Sequence, residues 1–274
     1  MPTFSIPDGP VISYEDTGDN GDPSRVPIIF SHGLFMSRHM FGPQLEEFSR
    51  DHRCIVWDER AHGDTVWEGD FTYWDSARDL FALADHLGID RFIHVGFSQG
   101  GLLALRAAML DPTRFIGMVQ LSTQAGGLAG EEEQAFRAII AEWTELGPTP
   151  EKLDFLDWLI LGPGADSKFW RDYWSTLTPQ QINDATYALY DAKSVEDRLG
   201  EVTAPLIVIH GLVDVSTPLE RAILVSERAP DCRGLTLVEN GPHVCNLTHV
   251  DIVNSACRTF IDEVSAEYLA TLAP

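Results

Sequence analysis

Six short apolar runs recur along the chain: Val26 to His32, Arg53 to Asp58, Arg91 to Gly96, Phe115 to Ser122, Pro205 to Gly211 and Gly234 to Glu239. Each is rich in β-branched residues, and near-continuous hydrophobicity over so few positions predicts strands buried on both faces. Between these runs the pattern changes to a helical period. Leu80, Leu83, Ala84 and Leu87 fall at i, i+3, i+4 and i+7, with Gly88 placed to end the helix. Val253, Ala256, Phe260, Ile261 and Val264 mark the buried face of a C-terminal helix. Strands alternating with helices imply an α/β protein, a mainly parallel sheet flanked by helices.

The alternation stops between residues 126 and 200. That stretch opens on a glycine-rich turn and carries Trp143, Phe155, Trp158, Phe169, Trp170, Tyr173, Trp174, Tyr187 and Tyr190 on helical segments without a convincing strand. It reads as a helical cap inserted into a core formed by residues 1–125 and 201–274. Most of its aromatics are expected to pack between cap and sheet, and the rest to line an apolar pocket at the strand ends.

Composition narrows the function. A chain of 274 residues with 44% hydrophobic content has material for one large core. A formal charge of −23 opposes binding to nucleic acid or to an anionic membrane surface. Cys54, Cys232, Cys245 and Cys257 lack metal-site spacing and read as free thiols, and no histidines are spaced as ligands, so neither a metal nor another cofactor is expected. The first residues are acidic where a secretion signal would be cationic, and no apolar run is long enough to span a bilayer. These features point to a soluble cytoplasmic protein acting on a small molecule.

The chemistry starts at Gly96-Phe97-Ser98-Gln99-Gly100, between a predicted strand and a predicted helix. A serine on such a corner is held clear of the backbone, and glycines two residues either side let neighbouring elements approach closely. Ser98 needs a base to take its proton and an acid to orient that base. Asp214 follows the strand that ends at Gly211, and His243 follows the last strand, so all three lie at carboxyl ends of strands. His249 is a rival base, and Asp191 and Glu239 are rival acids. His39, His52, His86 and His94 read as surface or satisfied core groups. Backbone N–H groups of Gln99 and of Leu34, after His32-Gly33, are the candidate donors to an oxyanion.

Taken together, FSHGLFMSRHMF, CIVWDERAHGDT, GFSQGG, VIHGLVDVSTP and GPHVCNLTHVDIVN resemble the α/β-hydrolase superfamily in order and over nearly the whole chain. The resemblance implies the α/β-hydrolase fold with a helical cap, Ser98 as nucleophile, Asp214 as acid, His243 as base, and the Leu34 and Gln99 amides as oxyanion hole. Serine at the corner argues against the branches that use aspartate there. Two departures stand out: the family's D-x-R-G-x-G-x-S loop has Ala61 for glycine and Thr65 for serine, and Pro242 precedes His243 where glycine is usual. The segments around Asp214 and His243 look like those of 3-oxoadipate enol-lactonases, and the FSHG opening like aryl esterases and cofactor-free perhydrolases. Hydrolysis of an apolar carboxylic ester or lactone through an acyl-serine is the expected activity. Carbon–carbon hydrolysis of a dienol ketone, perhydrolysis and a weakly catalytic ligand receptor are the alternatives.

Overall fold

The computed structural model describes residues 1–19, 22 and 24–272. In chain order it contains β1 (Thr3–Ser5), β2 (Val11–Asp16), β3 (Pro27–Ser31), α1 (Gly42–Phe48), β4 (Arg53–Trp57), α2 (Tyr73–His86), β5 (Phe92–Phe97), α3 (Gln99–Leu110) and β6 (Phe115–Leu121). Four helices follow: α4 (Gly130–Leu146), α5 (Pro150–Leu156), α6 (Ser167–Trp174) and α7 (Pro179–Tyr190), with a π-helical turn over Asp157–Leu161 between the second and third. The chain closes with β7 (Leu206–Gly211), α8 (Leu219–Arg228), β8 (Cys232–Val238), α9 (Cys245–Thr248) and α10 (Val250–Leu272).

The strands form one sheet in the order β1-β2-β4-β3-β5-β6-β7-β8. From β4 to β8 every pair is parallel, whereas β1 and β2 join the edge antiparallel. All six predicted strands are present. The N-terminal pair was not predicted: in β2, buried Ile12 and Tyr14 alternate with residues bonded to neighbouring segments, a half-buried pattern too short to stand out. One expectation needs correction. β5, β6 and β7 are buried throughout, but β8 is an edge strand, largely half-exposed, with Val238 as its one buried residue.

α2 spans the predicted period, with Leu80, Leu83 and Ala84 fully buried and a reciprocal Thr72–Asp75 capping box at its start. Gly88 follows its end at φ +67°, the left-handed conformation that terminates a helix. On α10, Val253, Phe260, Ile261 and Val264 are buried as the pattern required, while Ala256 is only half-buried. No helix among the described residues is long and apolar enough to cross a membrane.

The sheet order also locates a crevice. β3 is followed by β4 on one side and β5 lies on its other side, so the connections leaving β3 and β5 diverge. In parallel sheets a gap opens at the carboxyl ends of such a strand pair, where ligands bind. Ser98 and the His32–Phe35 loop leave the sheet at this point.

Candidate active site

Ser98 sits at φ +50°, ψ −112°, a conformation that costs a non-glycine residue about 1–3 kcal/mol. The surroundings hold it there. The Ser98 N–H donates to the Leu121 carbonyl (2.9 Å), while the Ser98 carbonyl accepts from the Thr123 hydroxyl (2.6 Å) and the Gly101 N–H (2.9 Å). Three glycines are obligatory by space. A Cβ at Gly96 would come 2.6 Å from the Gly100 carbonyl oxygen, one at Gly100 2.0 Å from that of Ser31, and one at Gly101 2.5 Å from the Thr123 side chain. Strand, corner and helix are therefore packed backbone against backbone, and the Ser98 side chain is left facing a cavity.

His243 lines the same cavity, its ring 4.8 Å from that of Phe97 between centroids. Its Nδ1 lies 2.7 Å from Asp214 Oδ2. A carboxylate only accepts, so Nδ1 carries a proton; in the neutral ring Nε2 then keeps its lone pair. The second oxygen of Asp214 accepts from the backbone N–H groups of Ser216 (2.8 Å) and Thr217 (2.9 Å). Burial alone would raise the Asp214 carboxyl, but the charge and hydrogen bond of His243 and the Thr217 amide hold it below the usual aspartate range. His210, fully buried at the end of β7, donates from Nε2 to the Thr217 carbonyl (3.0 Å) and so braces the turn that carries those amides.

The loop after β3 forms a turn closed by Met36 N–H to Gly33 C=O (3.0 Å), with Phe35 at φ +59°. Two buried histidines fix it. His62 Nε2 accepts the Phe35 N–H (3.2 Å), and His32 donates from Nδ1 to the Gly33 carbonyl (2.8 Å) while its Nε2 accepts the Glu59 N–H (3.0 Å). Because each accepts at Nε2, both rings are neutral, and burial lowers their pKa to about 4 and about 3 respectively. Leu34 and Gln99 both line the cavity.

The cavity has a volume of about 420 Å³. Its far wall comes from α4, α5 and the π-helical turn, chiefly Phe136, Ile139, Phe155, Trp158 and Leu159. A more open groove of about 540 Å³ lies beside it, and Trp158, Val215 and His243 are common to both. Of the aromatics read from residues 126–200, Trp143, Trp170 and Trp174 are core, while Phe155 and Trp158 line the cavity. Phe136 was missed because one phenylalanine in an acidic helix carries no distinguishing signal.

The rival residues lie elsewhere. Asp191 and Glu239 are exposed, and the His249 ring is engaged by the Thr248 hydroxyl at 2.9 Å. His39 and His86 are exposed, and His52 is satisfied by the Val26 carbonyl (3.0 Å). His94 departs from a satisfied core group: Nε2 meets the Ser31 hydroxyl at 2.9 Å, but its buried Nδ1 has no partner among the described residues. Asp51, His52 and Asp262 lie close enough together to hold a cation, yet Arg258 already pairs with both carboxylates. The sequence departures keep their chemistry. Thr65 uses its hydroxyl as serine would, donating to the Asp58 carbonyl (2.6 Å) and accepting from Ser13 N–H (2.9 Å). Pro242 packs against the turn at Gly162, where a Cβ would stand 2.4 Å from it.

Residues 26–249 match the family model for the alpha/beta hydrolase fold. The chain is 27% identical to a non-heme haloperoxidase of Rhodococcus erythropolis over 96% of its own length and 100% of that protein. It is similar in structure to a thermophilic esterase from Thermogutta terrifontis, with a TM-score of 0.82 and 23% identity, covering 96% of this chain and 97% of the other. It is also similar to the enol-lactonase from Burkholderia xenovorans, with a TM-score of 0.79 and 19% identity, covering 95% and 100%.

Proposed function

The chain belongs to the α/β-hydrolase fold family, and from that premise we propose that it hydrolyses a carboxylic ester or lactone through an acyl-Ser98 intermediate. The observation that carries this reading is the pairing of His243 Nδ1 with Asp214 at 2.7 Å, which leaves Nε2 free as a base in the cavity that Ser98 faces. His243 Nε2 takes the Ser98 proton as Oγ attacks the acyl carbon. The oxygen that becomes negative is met by the Gln99 and Leu34 N–H groups, each worth about 3 kcal/mol to the transition state. His243 returns the proton to the departing alkoxide, then takes one from water, which releases the acid and restores Ser98. One ester and one water give one acid and one alcohol.

The apolar lining supports an apolar substrate small enough for about 420 Å³. In this reading residues 126–200 are a cap over the core of 1–125 and 201–274, and supply the substrate-facing wall. The names of the Thermogutta esterase and the Burkholderia enol-lactonase agree with ester or lactone chemistry.

The test is acid release from a panel of p-nitrophenyl esters, aliphatic lactones and an enol-lactone by wild type and Ser98→Ala. Turnover of at least one substrate is expected, with a loss of about 10⁶-fold in the variant. Equal rates in both would reject the assignment. The haloperoxidase relative favours a second activity at the same serine, in which hydrogen peroxide replaces water on the acyl-enzyme and gives a peracid. Peracid formed from acetate and peroxide by wild type but not by Ser98→Ala would establish it.

A further inference from the structure

Beneath the corner that carries Ser98 lies a buried polar chain that the reaction scheme does not use. Glu59, 0% exposed, follows Asp58 in the loop after β4, and its Oε2 accepts from Gln99 Nε2 at 3.1 Å. Gln99 Oε1 in turn accepts from the Tyr73 hydroxyl at 3.2 Å. Gln99 is the residue after the nucleophile, and its own N–H, at the first position of α3, has no acceptor within the helix. We propose that Glu59 is a positioning residue for the reaction at Ser98: together with Tyr73 it grips the Gln99 side chain from two sides and so holds the Gln99 backbone N–H toward the developing oxyanion. The inference rests on the acyl-Ser98 reading and extends it to a residue with no direct access to substrate.

The peptide between Ser98 and Gln99 is clamped at both ends by this arrangement. Its carbonyl is fixed by the Thr123 hydroxyl, and its amide side follows the gripped Gln99 side chain. A rotation that turned the N–H away would swing the carbonyl off the Thr123 hydroxyl and the Gly101 N–H, and would strain the two side-chain bonds of Gln99.

With no cation beside it, the buried carboxyl is held toward its neutral form. No arginine or lysine pairs with it among the described residues: Arg60, its neighbour, is committed to Asp79 at 2.5 Å, and Asp79 itself faces Glu59 as a like charge. From α2 the other facing groups are the Ser76 hydroxyl and Tyr73; from α3, Gln99, with Arg106 beyond the Tyr73 ring; from the loop after β3, neutral His32. His62, also neutral, is on Glu59's own loop. Burial without a cation raises the Glu59 carboxyl well above its ordinary range. Its ionisation as pH rises would place a negative charge behind the donors that receive the oxyanion, and kcat is then expected to fall with KM little changed.

The experiment uses p-nitrophenyl butyrate, whose leaving group needs no proton, together with the rate at which a fluorophosphonate labels Ser98. Glu59→Leu is expected to lower kcat about ten- to a hundredfold and slow labelling similarly, with KM within about twofold. Glu59→Gln, neutral at every pH, is expected to recover kcat to within about threefold and to lose the alkaline fall expected of wild type. Wild-type kcat in Glu59→Leu, or an unchanged alkaline limb in Glu59→Gln, overturns the proposal while Ser98 labelling leaves the nucleophile assignment standing. If Glu59→Leu does not fold, the Glu59→Gln profile decides alone. If wild type neither hydrolyses nor labels, or Ser98→Ala hydrolyses equally, the acyl-serine reading falls and this one with it.

Discussion

Ala61 holds φ +60° in a buried turn, where a Cβ crowds the backbone at a cost of about 1–2 kcal/mol. Ala61→Gly is therefore expected to raise the free energy of unfolding by about 1 kcal/mol, part of the relief being lost to the freer unfolded chain, measured by urea denaturation. Its neighbour Gly63 has no such latitude, since a Cβ there would stand 2.1 Å from Asp58 Oδ2. Residues of this kind were legible in the sequence only as departures from a pattern. Ser98, Asp214 and His243 were legible because each follows a predicted strand, and chain order then puts them at one edge of a sheet. Glu59 and Tyr73 were not, because they meet Gln99 across 40 and 26 positions of chain and nothing local marks the contact.

At the scale of elements, the loops around the crevice and the central strand depend on neutral imidazoles. His32, His62 and His94 are fully buried, and desolvation lowers their pKa from 6.5 to about 4, about 3 and about 3. A folded-state pKa below the unfolded one means that the stability each ring supports is present above about pH 6.5 and is lost as pH falls toward the folded value. The slope is about 1.4 kcal/mol per pH unit per histidine. Unfolding free energy is therefore expected to fall steeply from pH 6.5 to pH 4, and His94→Gln to flatten that limb by one proton; an unchanged slope in the variant would contradict the assignment. The long helices and the six parallel strands announced themselves by period and length. The β1–β2 hairpin and the half-exposed edge at β8 did not, because each owes its form to a neighbouring strand, β4 and β7, and nothing local in the sequence marks the π-helical turn at Asp157–Leu161.

Across the whole molecule, a net charge of −23 opposes the approach of any anionic ligand. For an anionic ester, kcat/KM is expected to rise as added salt shortens the screening length from about 30 Å at 0.01 M to about 8 Å at 0.15 M, while that for a neutral ester stays level. Stopped-flow or steady-state rates over that range would show it. Helices α6 and α7 are tied down to the core by the Trp174 indole on the Phe35 carbonyl (2.8 Å), the Tyr173 hydroxyl on that of Met36 (3.2 Å) and Asp184 on the Gly69 N–H (2.9 Å). At the other side of the cavity, α4 is held through Glu132 on Arg221 at 2.6 Å. The wall that His243 shares between cavity and groove has a consequence for traffic. On the acyl-serine reading, the imidazole is a doorpost between the two spaces, so the ring that serves the acyl group in the cavity also borders the more open groove. Acylation and deacylation then turn on the same post, with one histidine handing the proton out and taking the next one in.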